Sequence, residues 1–238
     1  LIYMNNFMSK KTSTMEKDVK LISYVTLRQI IGWLGILLPI IMMTESLLFC
    51  GTPLRLSISD YYYSNLGDVF FSFLTALAMF LFSYKGYEKE KDNIITTIIG
   101  IAALGVAFCP TKGTSVMCLG ECSSKINDKI YHNLHVMFAA IFFSLLAVLL
   151  IFYFTKSNPD KEKTPRKKTR NSIYIVCGLI MIVCLVWILI NSKPEVDISI
   201  FWQETIALFA FGFAWLTKGD LILKDKSENG KQLSVQSK

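Results

Sequence analysis

The chain has 238 residues, 53% of them hydrophobic and 18% charged, with a formal net charge of +7. Soluble domains average about 25% charged residues, so this chain lacks the charge to coat itself against water. Its 17 Phe, 10 Tyr and 4 Trp exclude a disordered protein, and six Cys are too few for a disulfide-dense secreted scaffold.

In chain order, the polar segment 1–28 comes first and holds five Lys/Arg. No short apolar core with a small-residue cleavage site follows it, so the first apolar stretch is expected to stay as a membrane span. The sequence opens on Leu1, and Met4, Met8 and Met15 are the nearest expected starts. A helix needs about 20 mainly apolar residues to cross the hydrocarbon core. Six runs approach that length: 29–49, 66–84, 93–109 (stopped by Pro110), 130–155, 172–191 and 200–217. Each run is apolar all round rather than alternating, which predicts helices and not barrel strands. The expected fold is therefore all-α: a polytopic membrane bundle of six transmembrane helices over 29–217, with a short tail at either end.

The basic residues set a direction. Twenty of the 25 Lys/Arg fall in the N-tail, the 85–92 loop, the 155–171 loop and the tail 218–238. By the positive-inside rule both tails are cytoplasmic, and the protein is multi-pass in the cell (plasma or inner) membrane. The cluster Arg166, Lys167, Lys168, Arg170 is read as a juxtamembrane segment facing anionic lipid, in preference to a nucleic-acid patch. The expected partners are membrane lipids and no nucleic acid. Small residues on the third run (Gly100, Ala102, Ala103, Gly105) and the sixth (Ala207, Ala210, Gly212, Ala214) predict close helix packing.

Ionisable groups inside spans are expensive and point to function. Here they are Asp68, His132, His135 and Glu204, which begin the second, fourth and sixth spans and so share one outer depth. His132 and His135 are three apart, which puts them on one helix face. The expectation is a single outward-facing polar pocket lined by these four, with Ser57 and Asp60 at its mouth. Two imidazoles and two carboxylates are also a plausible ligand set for Zn²⁺ or Fe²⁺, and a metal-bound water would hydrolyse an ester or amide. The competing structural reading is that polar residues at span ends simply meet water and headgroups, with Tyr61–Tyr63 and Trp202 as an aromatic belt.

Cys50, Cys109, Cys118 and Cys122 fall at or beyond the outer surface and predict at least one disulfide there. The alternative is a Cys118-x3-Cys122-x9-His132-x2-His135 zinc pattern, whose spacings depart from the usual ones. Cys177 and Cys184 are expected in the core. No Gly-rich phosphate loop, nucleophile elbow, His-Glu-x-x-His helix or dinucleotide fingerprint occurs.

The strings SISDYYYSNLGDVF (57–70), FLFSYKGYE (80–88), GIAALGVAFCPT (100–111), HNLHVMFAAIFF (132–143) and WQETIALFAFGFAWLTKG (202–219) together resemble uncharacterised bacterial six-span membrane proteins with a DRAM-like layout. That resemblance covers about 28–220 and implies a fold and a location but no activity. The chain is also similar, in part, to the CREST membrane hydrolases, which hold zinc with a Ser, an Asp and three His. With two His in the whole chain, this likeness implies only Ser57 or Ser59, Asp68, His132 and His135, with Glu204 in place of the missing ligand. Two functions follow from these readings. One is a ligand-binding, sensing, transport or assembly role centred on the polar pocket. The other is a metal-dependent hydrolase acting on a lipid or lipid-linked substrate at the outer leaflet.

Overall fold

The computed structural model describes residues 24–45, 54–84, 89–109, 111, 128–156, 164–191 and 199–223. Six helices account for most of them: α1 (Tyr24–Glu45), α2 (Gly67–Ser83), α3 (Lys89–Phe108), α4 (Asp128–Val148), α5 (Pro165–Asn191) and α6 (Phe201–Lys218). A short 3₁₀ turn, Ser59–Tyr63, precedes α2, and α4 ends in a π turn, Leu149–Tyr153. Among the described residues there is no strand. Each helix falls on one of the six apolar runs.

Burial follows the helical period. On α2 the buried residues are Phe70, Leu74, Leu77, Ala78 and Leu81, and on α5 they are Tyr174, Cys177, Gly178, Met181 and Cys184. Each set is one narrow stripe. The remaining face of α5 is just as apolar, and Val183 and Ile190 are 67% and 68% exposed. A helix that is apolar all round but buries one stripe has its other face turned to hydrocarbon. Three stretches, Tyr24–Glu45, Ile130–Tyr153 and Pro165–Asn191, are long and apolar enough to cross a membrane. The apolar helices Gly67–Ser83 and Asn93–Phe108 are shorter.

Consecutive helices pack in sequence, α2 on α3, α3 on α4, α4 on α5 and α5 on α6. The small residues expected to allow close packing do so. Ala102, Ala103, Ala207, Ala210 and Ala214 are buried. Where α1 crosses α6, a Cβ on Gly212 would sit 2.6 Å from the Gly32 carbonyl oxygen, so the two backbones nearly touch. One apolar cluster runs through the middle of the bundle to Tyr84, Phe154, Tyr174 and Trp215. A second, built on Leu38, Met42, Tyr61, Phe70, Val106 and Phe201, lies beneath the 54–66 segment.

The two ends of the bundle differ in chemistry. At one end Gln29 Nε2 donates to the Gly219 carbonyl at 2.8 Å, and Arg170 pairs with Asp220 at 2.9 Å. Asp220 also terminates α6. Its φ of 55° is left-handed. The Leu221 amide donates to the Leu216 carbonyl and the Asp220 amide to the Thr217 carbonyl, at 3.1 and 3.3 Å. This is the Schellman arrangement, in which glycine ordinarily takes the left-handed position. Asp220 thus trades backbone strain for its ion pair, each worth about 1 kcal/mol. Asp220→Gly should leave the thermal unfolding temperature nearly unchanged. Asp220→Ala keeps the strain and loses the pair, so it should destabilise by about 1 kcal/mol. Equal melting temperatures for the two variants would refute this account.

Candidate functional site

The opposite end carries most of the buried polar groups. Glu45, Ser57, Ser59, Asp60, Thr111 and His135 are all less than 10% exposed, and all lie around the 54–66 segment. Their arrangement begins in a local motif. Ser57 and Asp60 are three apart, and each side chain serves the other's backbone. The Ser57 amide donates to Asp60 Oδ2 at 3.1 Å and the Asp60 amide to Ser57 Oγ at 3.0 Å. This reciprocal capping closes the 3₁₀ turn. Thr111 Oγ1 donates to the second Asp60 oxygen, Oδ1, at 3.1 Å, and Tyr63 Oη donates to the Thr111 carbonyl at 2.8 Å. The end of α3 is thereby tied to the turn.

Two more carboxylates hold the same segment from other helices. Glu204, in the first turn of α6, accepts the Ile58 amide on Oε2 at 2.6 Å. Glu45, at the end of α1, accepts the Asn65 amide on Oε1 at 3.0 Å. The start of α6 returns the contact, since the Ile200 and Phe201 amides donate to the Leu56 carbonyl at 2.7 and 2.9 Å. Those amides would otherwise be orphans of the helix N-terminus. Tyr61 is fully buried, 6.2 Å from the Phe201 ring, with the Arg55 guanidinium over its face at 5.5 Å. The segment therefore sits on the helix ends as a plug, fastened through its backbone by three carboxylates. Burial pushes the Asp60 carboxyl above the usual carboxylate range. The hydrogen bonds from Thr111 and Ser57 and the Arg55 charge pull it back in part.

The residues expected to share one pocket are distributed as follows. Ser57, Asp60 and Glu204 come together at the plug. His135 is buried, and its Nδ1 lies 2.7 Å from the Cys109 carbonyl, so that nitrogen carries the proton. It reaches the plug only through the 109–111 stretch. His132 is partly buried on the same helix, and Asp68 is exposed in the first turn of α2. Among the described residues no group of three or more His, Cys, Asp or Glu is placed to hold a metal ion. The expected zinc or iron ligands Asp68, His132, His135 and Glu204 are thus not gathered into one group in this structure. The physical reason is that Glu204 is turned to the Ile58 amide and His135 to a carbonyl, while Asp68 points to the surface. The small pocket that Glu204 does line is apolar, walled by Phe143, Met181, Cys184, Leu185, Ile188 and Ala207.

Cys109 is a free thiol, as are Cys177 and Cys184 in the core. The other three members of the expected disulfide set, Cys50, Cys118 and Cys122, lie outside the described residues.

Residues 36–219 match the family described as "Family of unknown function (DUF7103)". The chain belongs to that family. No curated protein and no solved structure matches it. Membership of DUF7103 fits the expected uncharacterised family and brings no specific activity. Within this DUF7103 chain, two residues of the plug, Glu45 and Thr111, were not among the expected site residues. Glu45 had a signal, because it is a carboxylate inside the first apolar run, 29–49. Thr111 is an uncharged residue just after Pro110, and nothing in the sequence distinguished it.

Proposed function

We propose that this chain is a six-span protein of the bacterial cell membrane, with both termini cytoplasmic, and that it has a ligand-binding or sensing role at its outer face. The 54–66 plug is the responsive part. The observation that carries this reading is the mode of attachment. Glu45, Asp60 and Glu204 hold backbone amides of the one segment. Carboxylate–amide bonds are strengthened by the low dielectric of a buried site, yet a competing donor releases them. Purely apolar packing would offer no such handle. The positive-inside distribution supports the orientation, since the fold gathers Arg28, Lys167, Arg170 and Lys218 at the end away from the plug. The apolar outer face of α5 supports direct contact with lipid tails.

Thiol labelling of intact cells tests both parts, using single cysteines in a cysteine-free background. Cysteines at 120 and 195 should react with an impermeant maleimide, and those at 163 and 230 should not. Ser59→Cys should be protected while Glu204 is present and become reactive when Glu204→Ala is added. Labelling of 163 from outside overturns the orientation. Protection of Ser59→Cys that is indifferent to Glu204→Ala overturns the plug.

A further inference from the structure

Glu204 sits in the first turn of α6 and meets two surroundings at once. Its Oε2 accepts the Ile58 amide of the plug at 2.6 Å. Its side chain also lines a cleft between α4, α5 and α6, against Phe143, Cys184, Leu185, Ile188 and Ala207. Among the described residues no donor reaches its other oxygen, Oε1, and no Lys, Arg or His pairs with this carboxylate. Apart from the Cys184 thiol the remaining walls are apolar, and a carboxylate beside such walls is costly unless a cation or donor attends it. A water molecule would be held poorly there. It needs about two to four polar partners, and among these walls only Glu204 is a strong one.

Phe143, Leu185 and Ile188 are only partly buried, and Val186 and Leu189 beside them on α5 are exposed. The cleft thus opens on the surface that α5 turns to hydrocarbon, and an occupant arrives from the lipid side, carried on a chain. The space holds about one water-sized group. A primary ammonium is that size, whereas a trimethylammonium is several times larger. We propose that this cleft receives the primary ammonium of an outer-leaflet phospholipid, which binds the Glu204 carboxylate from the membrane side. The inference rests on the ligand-binding role of the plug and names its ligand. Charge drawn to the ammonium weakens the hold of Glu204 on the Ile58 amide, so the lipid head is the competing donor.

The full chain, purified in detergent, is titrated with dioleoyl phosphatidylethanolamine, with its N-methylated series up to phosphatidylcholine, and with dioleoyl phosphatidylglycerol. Bound lipids are counted by native mass spectrometry. Phosphatidylethanolamine should bind about tenfold more tightly than phosphatidylcholine, the effect of one charge-assisted hydrogen bond, with the partly methylated heads in between. Phosphatidylglycerol, which has no ammonium, should rank with phosphatidylcholine. Glu204→Gln keeps an acceptor for the Ile58 amide but removes the charge, and it should abolish the preference. Ala207→Leu, which fills the cleft, should abolish it too. Asp68→Asn, which removes an exposed carboxylate from α2, should retain it. If Ala207→Leu does not fold, Ile188→Phe at the edge of the cleft takes its place. No preference in the native chain, or one that survives Glu204→Gln, would overturn the proposal. Displacement of the lipid by free ethanolamine would overturn entry from the membrane. Labelling of Ser59→Cys keeps the two readings apart. Its release by Glu204→Ala without any lipid preference leaves the plug standing and removes this ligand. A lipid preference without that release keeps the ammonium site and removes the plug.

Discussion

Asp60→Ala should lower stability by about 3 kcal/mol, more than any other single change in the polar end. The substitution removes the acceptor of the Ser57 amide and of the Thr111 hydroxyl together, and both donors are buried. Each of the two donors left buried without a partner costs about 1–3 kcal/mol. Asp60→Asn keeps one acceptor oxygen and should cost about half as much. The effect carries a pH signature. The folded carboxyl has a raised pKa because burial disfavours its charged form. Its stabilising contribution is therefore complete below the unfolded value of about 3.9 and is lost as pH rises through the folded value. The gap between wild type and Asp60→Ala should accordingly be widest in acid and narrow toward neutral pH. Melts in detergent across that range decide it, and a gap that widens with pH is the contrary result. The same geometry reverses a simpler intuition about Glu204. A lone intramembrane carboxylate replaced by Leu would be expected to stabilise, but Glu204 satisfies the Ile58 amide, so Glu204→Leu should destabilise.

Gly212→Ala should cost about 2–3 kcal/mol, and Gly212→Val should leave little folded protein. The atom met by the new Cβ decides the size of the effect. At Gly212 it is the Gly32 backbone carbonyl, together with the Ile36 side chain at 2.6 Å, and a carbonyl can retreat only if α1 moves away from α6. At Gly100 the atoms nearest the new Cβ all belong to the Phe82 ring, which can turn aside. Gly100→Ala should therefore cost clearly less than Gly212→Ala. Size-exclusion profiles and melts of the two variants, prepared side by side, test the ordering. Equal costs would show that α1 and α6 can separate without penalty.

The helices were legible because their signal is redundant. Between Ile130 and Thr155 no charged residue interrupts the run, so apolar length alone places the fourth helix. The small residues of the sixth run foretold its tight crossing, although not that Gly32 would be the partner. The site was less legible, for a physical reason. Depth in a membrane is a one-dimensional coordinate, and the sequence assigns Asp68, His132, His135 and Glu204 the same expected value of it. Whether they converge depends on how each helix is rotated about its axis. Apolar runs leave that rotation open when every face is hydrophobic. Asp68 therefore emerged at the surface, while Glu45, passed over inside the first run, turned inward. Main-chain acceptors and donors such as Cys109 O and the Ile58 amide have no sequence signature, and here they claim the two most suggestive side chains.

The π turn of α4 also bears on how this chain tolerates a change in length. An α-helix advances about 100° per residue, so deleting a residue from its interior swings everything beyond it onto a new face. A π turn is the exception, since it amounts to one extra residue accommodated in an otherwise regular helix. Removing one residue from Leu149–Tyr153, with Phe152 at 62% exposure as the least costly choice, would let the helix close in α geometry. Leu146 before the turn and Phe154 after it would both keep their inward bearings. Of all the positions in the six helices, this is where a single-codon deletion should be absorbed.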